Sequence, residues 1–118
     1  MTQVKKFHLM SMPSGQAHVE FILVDDEIQG IWFFSYRTLE LLIYKDESGK
    51  WACKVCAYAG YSRTTARHYN CFTEEFFGKN LYYQCKNTDV GDILDVVISK
   101  HDVESFYNHY VNFGKAMR

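Results

Sequence analysis

The segment TLELLIYKDESGKWACKVCAYA, residues 38–59, constrains this chain more than any other. Two apolar runs flank Asp46-Glu47-Ser48-Gly49, a cluster of turn-forming residues, and that is hairpin chemistry. The pattern predicts strands over 38–45 and 51–59. Leu39, Leu41 and Ile43 would share one face with Cys53, Val55 and Ala57. Glu40 and Lys54 would form a cross-strand pair on the other.

Further strands are predicted at 3–10 and at 18–24, where Val19, Phe21 and Leu23 alternate with Glu20, Ile22 and Val24. Asp25-Asp26-Glu27 reads as a polar turn and Ile31–Phe34 as a short third strand. A helix over about 64–77 follows, because Thr65, Tyr69, Phe72 and Phe76 recur at helical spacing, with Gly78 ending it. LYYQCK (81–86) and LDVVI (94–98) read as short strands, the second for its β-branched run. A last helix over about 103–113 takes Asp102 as N-cap and presents Val103, Phe106, Tyr110 and Phe113, with Gly114 as its stop. The expected fold is α+β: one domain, residues 1–118, with an antiparallel sheet of about four to six strands and two helices packed on it.

Composition narrows the function. A formal charge of −1 argues against a protein that grips duplex DNA by charge, which needs many cations facing phosphates. It argues equally against an acidic mimic of DNA. No segment approaches the roughly 20 apolar residues that span a bilayer, and the first fifteen residues lack the apolar run of a signal peptide. A cytoplasmic protein with no membrane association is the expectation. Aromatic content is high at 17%, with nine Tyr and nine Phe. Nine tyrosines are hard to bury, because each hydroxyl needs a partner. They serve either as half-buried strand residues or as contact residues on a surface.

Four cysteines raise the question of a metal, since Cys53 and Cys56 form a Cys-x-x-Cys pair. Strand geometry answers it: side chains three apart on a strand point to opposite faces, so one thiol faces in and the other out. Free structural thiols and no cofactor are the expectation. His68 and Cys71 stand one helical turn apart, but no residue at readable spacing would orient the histidine, so the pair reads as a coincidence on the helix surface. Phosphate loops, dinucleotide fingerprints and GxSxG are absent from the sequence. The chain is expected not to be an enzyme.

One stretch, GYSRTTARHYN (60–70), breaks a rule. Ser62 or Thr64 can cap a helix there, yet the first turns carry Arg63, Arg67 and His68 where acids are favoured. Hydroxyls, free N–H groups and arginines at a helix start together make an anion site. Two uses are open: contact with phosphate or an acidic protein surface, or internal pairing with Glu74, Glu75 or the Asp25–Glu27 turn.

The same residues carry a resemblance. The pattern Ser-Tyr-x-Thr followed by Tyr-Ser-x-Thr-Thr-x-Arg-His is met here by Ser35, Tyr36 and Thr38, then Tyr61, Ser62, Thr64, Thr65, Arg67 and His68. It resembles a family of small proteins from phages and mobile elements of Gram-positive bacteria, and the likeness spans roughly residues 28–113. The resemblance implies an accessory protein of the anti-CRISPR kind, acting in the host cytoplasm. Such a protein inhibits a host defence nuclease, most concretely a Cas9-type effector or ribonucleoprotein, by binding and occluding it. The contact surface would comprise a tyrosine-rich sheet face (Tyr36, Tyr44, Tyr58), Tyr61, and the helix start with Arg63, Arg67 and His68. The alternative is an accessory factor that binds single-stranded nucleic acid, its arginines on phosphate and its tyrosines stacked on bases.

Overall fold

Alternating apolar residues turn the first half of the chain into an antiparallel meander. A computed structural model describes residues 1–117. It holds strands β1 (Thr2–His8), β2 (Ala17–Val24), β3 (Glu27–Ser35), β4 (Thr38–Lys45) and β5 (Trp51–Val55). Helices α1 (Arg63–Phe77), α2 (Tyr82–Lys86) and α3 (Lys100–Phe113) follow. The five strands pair in sequence order, each antiparallel to its neighbours. The fold is α+β, as the element pattern predicts. Among the described residues no helix is long and apolar enough to cross a membrane.

The core lies between one face of the sheet and the helices. Val19, Phe21, Ile31, Phe33, Leu41, Ile43, Cys53 and Val55 meet Tyr69 and Phe72 of α1 and Val103, Phe106 and Tyr110 of α3. Phe33 stacks on Phe72 with ring centroids 4.6 Å apart, and Phe21 lies 5.7 Å from Tyr110. Much of the aromatic richness is therefore core. The buried tyrosines satisfy their hydroxyls, Tyr69 on Glu40 and Tyr110 on Glu75.

Local chemistry explains the turns. Val24 pairs with Glu27, so Asp25 and Asp26 form a two-residue loop, both at positive φ (50° and 68°). Tight hairpins need that conformation, and Asp tolerates it. In the β4–β5 turn, Asp46 Oδ1 accepts from the backbone N–H of Ser48 and of Lys50, at 2.9 and 3.0 Å.

Several expectations are corrected. β5 ends at Val55, short of residue 59. Residues 82–86 form a helical turn instead of a strand. Thr73 Oγ1 accepts from Leu81 N at 3.1 Å and Asn80 Oδ1 from Tyr82 N at 2.9 Å, which turns the backbone into a helix where a strand is expected from the sequence. Residues 94–98 form no strand; isolated bridges stand at Ile93, just before them, and at Ile98, their last residue. The last helix begins at Lys100, with Ser99 as N-cap and Asp102 as the third-position member of a capping box. Phe113 is exposed, not part of the apolar face.

The chain itself covers the edge of β5 and the Lys6–His8 end of β1. Along β5, Val55 N donates to Asp92 O (3.0 Å), Gly91 N to Val55 O (2.7 Å) and Leu94 N to Cys53 O (2.8 Å). Along β1, His8 N donates to Lys115 O (3.0 Å) and Met117 N to Lys6 O (2.9 Å). The covered edge of β5 cannot recruit a further strand.

Candidate partner-binding site

The two halves of the Ser-Tyr-x-Thr and Tyr-Ser-x-Thr-Thr-x-Arg-His pattern lie 23 or more residues apart in sequence and meet in space. Ser35 ends β3, Tyr36 and Arg37 form the turn, and Thr38 starts β4. Tyr36 sits in the left-handed region (φ 56°), uncommon for an aromatic residue. It is held there by its N–H, which donates to Gln16 O at 2.6 Å, and by its ring, 5.5 Å from that of His68.

On the other side, Ser62 caps α1, its Oγ accepting from Thr65 N at 3.1 Å. A chain of hydroxyls then links the halves. Ser62 Oγ donates to Thr65 Oγ1 at 3.1 Å, Ser35 Oγ lies 3.4 Å from Thr65 Oγ1, and Ser35 Oγ is 2.7 Å from His68 Nδ1. Ser35, Thr65 and His68 are all buried. Burial, and after it the neighbouring Arg67, lowers the His68 pKa and favours the neutral ring. A neutral imidazole hydrogen-bonded to a buried serine ties strand to helix.

Above this network opens a cleft of about 430 Å³. Its walls are Tyr36, Tyr58 and Tyr61, with fractional exposures of 49%, 52% and 82%. The ring of Tyr58 folds back over Gly60, where an added Cβ would come within 2.6 Å of it. Ser62 and Thr65 contribute hydroxyls. Glu40 lies at the base, buried at 3% exposure, with one carboxylate oxygen accepting from Tyr69 Oη at 2.8 Å. Its desolvation raises the carboxyl pKa, and the Tyr69 hydrogen bond opposes that shift.

No family model, curated protein or solved structure matches this chain. The site therefore stands on its own geometry.

The expected contact residues divide into three groups. Tyr36, Tyr58 and Tyr61 gather around the cleft. Arg63 and Arg67 are exposed on the first turns of α1, outside the cleft lining. Neither makes an ion pair among the described residues. Two placements are corrected. Tyr44 points from β4 onto the opposite face of the sheet, so Tyr36, Tyr44 and Tyr58 share no sheet face. His68 is 1% exposed and cannot touch a partner directly, nor is it on the helix surface.

Glu40 was missed for a specific reason. Phe33 pairs with Leu41 and Phe34 with Leu39, so Glu40 is the extra residue of a β-bulge. The bulge turns Glu40 inward, moves Leu39 outward beside Phe34, and separates Glu40 from Lys54, which pairs with Leu42. Strict alternation cannot show a bulge; only the acid inside an apolar run hinted at it.

The cysteines are dispersed. Cys53 and Cys85 are buried, and burial pushes the Cys85 thiol up to about 12 and that of Cys53 further. Cys56 is half-buried, its thiol directed at Lys54 O. No group of three or more metal-ligating side chains forms among the described residues.

Proposed function

We propose that this chain is a non-enzymatic binding protein that docks a protein or ribonucleoprotein through the tyrosine-walled cleft and the arginines beside it. One observation carries the reading: Arg63 and Arg67 stand exposed at the positive end of α1 with no ion-pair partner among the described residues. A cation so placed costs about 0.3–1 kcal/mol, and an anionic partner reverses the sign. Tyr and Arg are also the residue types in which interface hot spots are enriched.

The sequence resemblance gives the reading its most specific form. The protein would act in the cytoplasm of a bacterial host as a mobile-element inhibitor of a Cas9-type nuclease, occluding a groove that otherwise holds nucleic acid. The juxtaposition of arginines and exposed tyrosines also favours a second reading. In it, single-stranded nucleic acid binds directly, with bases stacked on Tyr36, Tyr58 or Tyr61.

The test titrates the protein into a Cas9–guide complex with target DNA, alongside filter binding to free single strands. Dose-dependent loss of cleavage, weakened about tenfold or more by Arg63→Ala with Arg67→Ala, is the expected result. Binding to free strands that falls with salt at a log–log slope of about −0.7 per phosphate contact would replace it with the second reading. Silence in both assays would overturn the choice of effector.

A further inference from the structure

The helices cover one face of the sheet and leave the other without a layer. Pairing registers arrange that open face in rows across the strands. The middle row is Glu20, Trp32, Leu42, Lys54, from β2 to β5. On one side of it run Ile22, Gly30, Tyr44 and Ala52; on the other, His18, Phe34 and Leu39. Trp32, Phe34, Leu39, Leu42 and Tyr44 are only half-buried, with no helix above them. A contiguous apolar patch of this kind marks an interaction surface. The segment along β5 closes that edge to strand addition, and the face itself is the broadest apolar surface left without a covering layer.

We propose that this face is the interface of a two-fold homodimer in which Glu20 of each copy pairs with Lys54 of the other. The charges choose the occupant. A two-fold axis parallel to the strands, running between β3 and β4, lays β2 over the second copy's β5 and β3 over its β4. Rotation about such an axis preserves position along the strands, so each row meets itself. Glu20 then faces Lys54 twice, Trp32 faces Leu42, and Phe34 faces Leu39. The apolar centre meets an apolar centre, and opposite charges meet at both flanks. Within one copy Lys54 has no ion pair among the described residues, whereas Glu20 already accepts from His18 at 2.9 Å and lies 4.0 Å from Lys6. Two sheets packed face to face at the usual small angle, about 10 Å apart, keep this correspondence through their central strands.

The test is sedimentation of the whole chain across a concentration series, with far-UV circular dichroism confirming each variant's fold. The wild type is expected to dimerise. Lys54→Glu alone and Glu20→Lys alone each place two like-charge pairs across the two-fold, and each should raise the dimer Kd by about tenfold or more. Mixing the two variants creates a heterodimer in which both contacts again join opposite charges, so affinity should recover to within about threefold of wild type. A wild type that stays monomeric throughout overturns the proposal. So does a dimer that both reversals leave unchanged, or one that the mixture fails to restore.

Discussion

The two ends of α1 face the same electrostatic problem and solve it differently. Both carry the wrong sign for the helix dipole: Arg63 and Arg67 at the N-terminal end, Glu74 and Glu75 at the C-terminal end. At the C-terminal end the chain supplies its own remedy for Glu75, while Glu74 stays exposed. Glu75 accepts from the Tyr110 hydroxyl and from the hydroxyl of Ser11, and also from Ser11 N at 3.2 Å. That carboxylate joins α1 to α3 and to the loop after β1. The arginines gain nothing comparable, because twelve residues of helix place Arg63 about 18 Å from Glu75. Asp25 is held by the N-terminal ammonium at 2.8 Å. The internal pairing open to the arginines on sequence grounds is absent among the described residues. A mismatch answered inside the fold is architecture; one left facing solvent at a cleft is the better candidate for function.

That contrast can be broken from either side. The largest effect is expected at the satisfied end. Tyr110→Phe keeps the buried ring against Phe7, Phe21 and Phe106 but leaves Glu75 and the N–H of Met10 without their hydroxyl partner. Stability should fall by about 1–3 kcal/mol in denaturant titration. A loss too small to measure would mean that Glu75 is satisfied by solvent.

An intermediate effect is expected beneath the cleft. Glu40→Gln preserves an oxygen for Tyr69 and removes a carboxyl whose ionisation burial opposes, so it should stabilise the fold at pH 7. The signs with pH follow from linkage. Glu40 has a folded pKa above 4.5, so the folded state binds more protons and stability falls as pH rises from 4.5 through that folded value. His68 has a folded pKa below 6.5, so its contribution is lost as pH falls from 6.5 toward the folded value. Thermal midpoints across pH 4–8 should lose the first dependence in Glu40→Gln and keep the second. An unchanged profile would place the Glu40 carboxyl in water.

The smallest effect on stability is expected at the unsatisfied end. Arg63→Ala with Arg67→Ala should move the unfolding free energy by no more than about 0.5 kcal/mol, or raise it slightly, while partner binding weakens. Unfolding of the double variant would make the arginines structural and erase the contrast.

Local patterns were enough for much of the fold. The Asp46–Gly49 turn, the alternation of Val19, Phe21 and Leu23, and the stripe of Tyr69 and Phe72 each placed an element near its observed bounds. Where local signals misled, a tertiary contact had outweighed propensity. Tyr82 and Tyr83 have strand-forming side chains, but the segment is spent on a helical turn that sinks Cys85 into the core. The β-branched run at 96–98 lies in the segment that sheathes the edge of β5, where isolated bridges replace a regular ladder. Of the site, the residue types at the start of α1 were legible because a cation at a helix start is a local anomaly. The cleft was not, because it needs the β3–β4 turn and α1 brought together.

The sequence by itself determined the class of fold, the hairpin, the principal helices and the misplaced arginines, since each follows from periodicity, turn chemistry or charge within a few residues. Only the tertiary structure decided that Ser35 reaches His68, that a bulge turns Glu40 into the base of a cleft, and that Tyr44 looks away from Tyr36 and Tyr58. Register and packing depend on which distant surfaces meet. A one-residue bulge exchanges the two faces of a strand without altering the residues that flank it.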